Sequence, residues 1–280
     1  MSLRHFLARP MLAAHLLARS VMGPHSGLRI LLLHDIPPGE MAAFDALVGW
    51  LTASGRLIDP STAAEYLGGR ATASAPVLLT FDDGFASNLA AATTVLARHH
   101  AKAVFFVCPG LVDLAPDVQR AAIAENIFDG QRQAADLPDA LRLMTWPEIA
   151  FLHGQGHAIG NHTLSHRRLT LLSDAELEAE IAGGAEAVRR HLGIEAEWFA
   201  FPFGDISSVN ARVLAAAGRR HNFVRSGIRG LNPPGTNRHA MLADHVDLGA
   251  PTAYWQLVTE GGLDHRYAEA RRRLRAMMTA

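Results

Sequence analysis

A chain of 280 residues with 49% apolar side chains holds enough material for one large core, and α/β barrels of this length form a single domain. Its 26 basic and 27 acidic residues leave a formal charge of −1, which gives no overall pull toward nucleic acid. The one cysteine, Cys108, excludes an intramolecular disulfide and with it a disulfide-stapled secreted scaffold.

Residues 1–27 are expected to form an N-terminal helical extension. Its apolar stretch, Met11 to Leu17, is short, is interrupted by His15 and is followed by Arg19, unlike a secretory signal. Nothing in it reaches the length of a membrane-spanning helix. Packing on the domain as an amphipathic helix is the expectation, with peripheral attachment to a membrane as the alternative, and the chain is expected to be cytoplasmic.

From there short apolar runs alternate with helical periodicity. Leu28 to Leu33 reads as a strand, Met41 to Ser54 as a helix, and Pro76 opens a strand over Val77 to Phe81. A helix over Leu89 to His100 precedes a strand over Ala103 to Val107, with Cys108 after it as a small core residue. Residues 111–142 fit no such unit and read as an insertion, a lid or a substrate loop. Trp146 to His153 reads as a helix ended by Gly154 and Gly156, then His157 to Gly160 as a short strand. Ser173 to His191 is a helix with a capping box, Ser173 with Glu176, and a stop at Gly193. A strand over Glu197 to Phe201, a helix over Asn210 to Ala217 and a strand over Asn222 to Arg225 follow. The basic run Arg271, Arg272, Arg273 and Arg275 has helical spacing and reads as a solvated face. Strand-then-helix order implies parallel strands joined by right-handed crossovers. The repetition implies a closed or nearly closed barrel over residues 28–280.

Barrels of this kind place functional residues at the C-terminal ends of strands. Those ends carry His34, then Asp82 and Asp83, then His162, then Phe203. In Thr80-Phe81-Asp82-Asp83-Gly84, two adjacent carboxylates need a cation or donors to stay charged in a dry pocket, and Gly84 permits a sharp exit. Taken alone, the run reads equally as a polar turn. In His162-Thr163-Leu164-Ser165-His166 the i, i+4 spacing places both imidazoles on one side of a helical turn, which suits two ligands of one metal. Among 15 histidines chance pairs occur, and His99-His100 is assigned no role. Phe199-Ala200-Phe201-Pro202-Phe203-Gly204 is a buried strand closed by a tight turn, whose backbone N–H groups are able to steady an oxyanion.

Together these clusters resemble the NodB-type polysaccharide deacetylases (carbohydrate esterase family 4). The first matches that family's Thr-Phe-Asp-Asp-Gly motif and the second its His-Thr/Ser-x-x-His motif. Phe199 to Gly204 is similar to the third, and Leu32-Leu33-His34-Asp35 to the end of the first strand. Thr145 to Ile149 through Gly156 to Gly160 also looks like the family's approach to its histidine motif, so the likeness runs from about Leu28 to Leu248.

The resemblance implies a distorted (β/α)7 barrel and a divalent metal, zinc with cobalt or nickel as alternatives. It implies Asp83, His162 and His166 as ligands, Asp82 as general base, and the Phe203 backbone N–H beside the oxyanion. Such a metal acidifies water and polarises the N-acetyl carbonyl. Members often carry arginine where Ala200 stands, to orient the catalytic aspartate, and Arg225 and Arg229 are the candidates for that role here. The fourth motif is not recognisable. Leu242-Ala243-Asp244-His245 matches the fifth and makes His245 the candidate general acid, tuned by Asp244 or Asp247, with His239 in reserve. His34 is expected to face the substrate or to support a ligand.

The implied reaction is hydrolysis of an N-acetyl group on an amino sugar of a polysaccharide, an oligosaccharide or a lipid-linked glycan. Related barrels hydrolyse formamido sugars and small cyclic amides, and substrate choice resides in loops such as residues 111–142. A catalytically dead sugar-binding barrel is the alternative of another class, kept open by the arginine missing at Ala200. Aromatics make up 7% of the chain, which favours a small substrate over a long polymer.

Overall fold

Apolar runs without a polar face must be covered on both sides, and the strands of this protein are of that kind. β1 (Arg29–Leu33), β2 (Val77–Phe81), β3 (Val104–Val107), β5 (Trp198–Ala200) and β6 (Phe223–Arg225) are buried at every position, and β4 (Ala158–Asn161) from Ile159 onward. With β7 (Asp244–His245) they make one seven-stranded sheet in the order β6-β5-β4-β3-β2-β1-β7, all pairs parallel. The computed structural model describes residues 6–22, 27–70 and 75–278. A parallel bridge from Arg225 to Met241 carries the segment before β7 across from β6, so the sheet curls into a distorted (β/α)7 barrel.

Helices surround it: α1 (Ala8–Met22), α2 (Met41–Ala53), α3 (Pro60–Leu67), α4 (Ser87–Ala91), α5 (Pro109–Val112) and α6 (Pro116–Ala122). Then come α7 (Trp146–Gly154), α8 (Asp174–Leu192), α9 (Ala211–Gly218), α10 (Thr252–Thr259) and α11 (Ala268–Met277). Side chains with backbone partners set the starts. Ser173 and Glu176 form the anticipated capping box of α8, and Gly193 closes it at a φ of 70°. Thr145 and Glu148 make a second box on α7.

The helix expected over Leu89 to His100 starts earlier, at Ser87, passes through a π turn at Ala92–Leu96 and gives way to a turn at His99. Of the C-terminal arginines, Arg272, Arg273 and Arg275 are exposed as expected, and Arg271 is the exception. The side chain of Arg271 turns inward and donates to the carbonyls of Arg229 and Asp264, each at 2.8 Å, beside the buried Leu274.

Strand alternation sorts the core into two layers. Ile30, Leu32, Leu78, Val104, Phe106, Trp198, Phe223, Met241 and Ala243 fill the barrel, closed below by Ala63, Tyr66 and Leu67 of α3. Leu31, Leu33, Leu79, Phe81, Phe105 and Val107 face outward against the helices. Residues 111–142 fold as α5, α6 and a π turn at Ile123–Ile127 over a small core of their own, built from Phe85, Cys108, Leu111, Ile123 and Leu143. On the far side α1 rests against α10, with Met11 and Leu12 on the outer core and His15 and Arg19 bound to Glu260. Among the described residues no helix is long and apolar enough to cross a membrane.

Candidate active site

The C-terminal strand ends surround a pocket of about 470 Å3 that reaches Asp82, Asp83, His162, His166, Phe203, His34 and His245. In an extended strand, neighbours point to opposite faces, so Asp82 and Asp83 would diverge if β2 simply continued. Asp82 is still paired as a strand residue, its N–H donating to Leu33 at 2.8 Å. Asp83 then takes a φ of 71° and Gly84 one of 78°, and this left-handed exit brings the second carboxylate into the same pocket. Thr163, His166 and Phe203 also have positive φ, at 69°, 62° and 62°. Such conformations cost about 1–3 kcal/mol each and persist where surrounding contacts impose them.

The histidine pair departs from the expected geometry. Residues 162–166 form a loop after β4, not a helical turn, because Thr163 and His166 are left-handed. Tertiary bonds shape that loop. Gly110 N–H donates to Leu164, Leu164 N–H donates to Glu180, and the Glu180 carboxylate accepts from Ser165 N–H at 2.9 Å and Oγ at 2.5 Å. Glu180 lies on the buried face of α8 beside Ile181 and Gly184, a misplaced charge that the sequence displayed and the motif reading passed over. Asn126, from the π turn after α6, was missed outright. It donates its amide to Ser165 at 2.9 Å, and its carbonyl meets His166 Nδ1 at 2.9 Å.

Those contacts fix both imidazoles. His162 Nδ1 lies 2.8 Å from the Ala200 carbonyl, so each histidine presents Nδ1–H to an oxygen that only accepts. In the neutral ring the opposite nitrogen, Nε2, is then a bare lone pair. Both Nε2 atoms face Asp83 Oδ1, at 3.5 Å from His162 and 3.3 Å from His166. That oxygen is buried and has no hydrogen-bond partner. Three acceptors converging in a dry site repel one another unless a cation or proton stands between them. Asp83, His162 and His166 are the group of side chains, among the described residues, with ligand atoms close enough to hold a metal.

Burial acts against every charge here. It would raise Asp83, but the close approach of His162 and the positive charge that His166, His34 and His162 can carry hold its carboxyl down at about 2. Burial also lowers His162, yet Asp82 and Asp83 outweigh it and keep it above its ordinary value. For His166 burial prevails over the Asp83 charge and the pKa falls to about 4.

Asp82 faces the same centre, its Oδ2 3.7 Å from His162 Nε2. Its other oxygen is ion-paired with Arg225, which is 1% exposed and lies 4.7 Å over the Phe106 ring. Inward parity at Phe223 makes Arg225 inward as well, so β6 supplies the guanidinium absent at Ala200. Arg229, the other candidate, does not reach Asp82. It donates to the His245 carbonyl at 2.7 Å and lies outside the pocket, holding the β7 backbone.

His245 and His34 meet at the pocket mouth with ring centroids 5.2 Å apart. Burial by surrounding protein, then His34 and Arg229, lower His245 to about 4 although its ring edge remains open to the pocket. Asp244 does not tune it. The alternate parity sends that carboxylate to the outer face, onto Arg29 at 2.6 Å, and the carboxylates that His245 does feel are Asp247 and Asp82. His239 packs against Gly218, away from the pocket. Phe203 stands edge-on to His166 with centroids 4.9 Å apart, covered by the Arg168 guanidinium. Cys108 is buried with its thiol pushed well above the ordinary value, as suits a core residue. A larger cavity of about 750 Å3 opens near Lys102, His157 and Trp198 at the other end of the strands, and no metal-binding group of described side chains lies there.

Comparisons with known proteins bear on the fold and the family. IcaB from Ammonifex degensii superposes with a TM-score of 0.65 at 21% identity, over 85% of this chain and 98% of that one. The Streptococcus pyogenes deacetylase PplD, solved in complex with acetate, gives 0.65 at 18% identity, over 85% and 99%. These likenesses establish the fold. Chitin deacetylase 2 of Cryptococcus neoformans var. neoformans is 28% identical over 106 residues, 38% of this chain and 23% of its own length. The chain thus spans about a quarter of that relative. The polysaccharide deacetylase family model matches residues 69–221, from just before β2 through α9, and the chain belongs to the polysaccharide deacetylase family.

Proposed function

We propose that the protein hydrolyses the N-acetyl group of an amino sugar with the help of one divalent metal, zinc in the first instance, held by Asp83, His162 and His166. The observation that carries this reading is the unpartnered, buried Asp83 Oδ1 facing two Nε2 lone pairs whose opposite nitrogens are fixed by carbonyls. When bound, the metal supplies Lewis acidity to the amide carbonyl and lowers the pKa of water.

The remaining work belongs to side chains. Asp82, oriented by Arg225, takes a proton from water as general base. Its proximity to Asp83 is tolerable because one carboxylate is paired with a guanidinium and the other with the ligand cluster. The Phe203 backbone N–H is assigned to the carbonyl oxygen as negative charge develops there. The proton gained by Asp82 is the one the leaving amine needs. His245, uncharged near neutral pH, relays it at the pocket mouth. His34 packs beside it and faces the substrate. Ile127 and Phe128 of the 111–142 region line one side of the pocket, so that region is proposed to select the sugar.

Product analysis tests the reading. Oligomers of N-acetylglucosamine and N-formylglucosamine are offered in parallel, and acetate and formate are quantified. Acetate release is expected; formate alone would move the assignment to formamido sugars.

A further inference from the structure

The N-terminal helix is inside out. On a surface helix the apolar stripe faces the core and the polar residues face water. In α1 the side toward the protein carries Ala8, Met11 and Leu12, but also His15 and Arg19, both bound to Glu260. The side toward solvent carries Pro10, Ala13, Ala14, Leu17, Ala18 and Val21, with Phe6 just ahead of the helix on the same stripe. Leu17 is 70% exposed, Val21 83% and Phe6 71%. Isolated exposed apolar side chains are ordinary, but a stripe of them along a whole helix marks an interaction surface.

We propose that this face of α1 lies on an anionic lipid surface, parallel to it, with Phe6, Leu17 and Val21 inserted among the headgroups. Charge is the first argument. The first 34 residues contain no acidic residue. Arg4 precedes α1 in the sequence and the exposed Arg9 stands at its start, while Arg19 is tied to Glu260 and Arg29 is buried against Asp244 and Asp264. The two clefts beside α1 are lined by one carboxylate, Glu260, which Arg19 and Arg56 already neutralise. Size is the second argument. A 15-residue helix is roughly 22 Å long and about 10 Å wide, so a two-fold contact through α1 buries on the order of 500 Å2. A specific interface between copies requires about 1,200–2,000 Å2. A lipid surface needs one apolar face free of acidic groups, and α1 offers that with Arg9 exposed beside the stripe.

Sedimentation of the full chain with vesicles tests this. One set contains equal parts phosphatidylglycerol and phosphatidylcholine, the other phosphatidylcholine alone. The Leu17→Asp/Val21→Asp double variant changes solvent-facing side chains, so circular dichroism and melting temperature should match the parent. The parent should bind the anionic vesicles, and the variant at least about tenfold less tightly. Failure of the parent to sediment, equal binding by the variant, or equal binding to phosphatidylcholine alone overturns the proposal. So does light scattering that finds a stable dimer dissolved by the same two substitutions, which would make a second copy the occupant.

Discussion

Replacing Arg225 by methionine removes the cation from a pair in which both partners are buried, Arg225 at 1% exposure and Asp82 at 3%. Losing one partner of such a pair costs about 3–5 kcal/mol, because the remaining charge is stranded. The stacking of the guanidinium on Phe106 adds about 0.5–2 kcal/mol. Much of this should return when Asp82→Asn is added, since the stranded charge is then gone. Urea denaturation of metal-stripped parent, Arg225→Met, Asp82→Asn and the double variant measures the cycle. The prediction is a coupling energy above about 1.5 kcal/mol, whereas independent sites add within about 0.5 kcal/mol. Additivity at that level would refute the claim that Arg225 holds Asp82. Arg225→Lys separates charge from shape. It should retain more stability than the methionine variant and still lose activity, because an ammonium cannot reproduce the planar fork.

Asn126→Ala should weaken zinc binding by up to about tenfold, read by competition with a chromophoric chelator, because the side-chain bond to Ser165 is cut while the backbone carbonyl that meets His166 remains. Gly160→Ala should lower stability by about 1–3 kcal/mol in thermal unfolding, since its Cβ would meet the Phe106 ring at 2.5 Å and the Trp198 carbonyl at 3.0 Å. His157 is held at about 4 by burial and by Lys102, against 6.5 when free. The unfolded chain therefore takes up the proton first. The stability this neutral histidine contributes is complete above about pH 6.5 and is lost as pH falls toward 4, on the order of 2 kcal/mol. Urea midpoints between pH 7.5 and 4.5 should show that loss, and His157→Asn should reduce it.

Much of the fold was legible because its strands are short, wholly apolar runs punctuated by polar ends, and parallel sheets demand that pattern. The residues around the pocket were legible for the same reason. Asp82, Asp83, His34 and His162 each sit one or two positions beyond a strand, where the run stops being apolar. The sequence could not reveal backbone that is imposed from outside. The spacing of His162 and His166 suggested a helical turn, yet Glu180, Gly110 and Asn126 hold that loop in left-handed conformations. Deciding between Arg225 and Arg229 required the inward parity of β6, and setting Asp244 aside required that of β7. Arg271 shares the spacing of a solvated run, but it caps the carbonyls of Arg229 and Asp264. In each case a long-range partner, not local spacing, decides the outcome.

In the proposed mechanism Asp83, His162 and His166 bind a metal needed for deacetylation while Asp82 acts beside it without binding. Metal-stripped parent, Asp82→Asn and His166→Ala proteins, each titrated with zinc or cobalt, test it when bound metal and released acetate are measured in the same samples. The parent should bind one metal per chain and recover acetate release. Asp82→Asn should bind one metal and release no acetate, and His166→Ala should do neither. Acetate release from the parent unaffected by metal removal, or one tightly bound metal in His166→Ala, would contradict the mechanism.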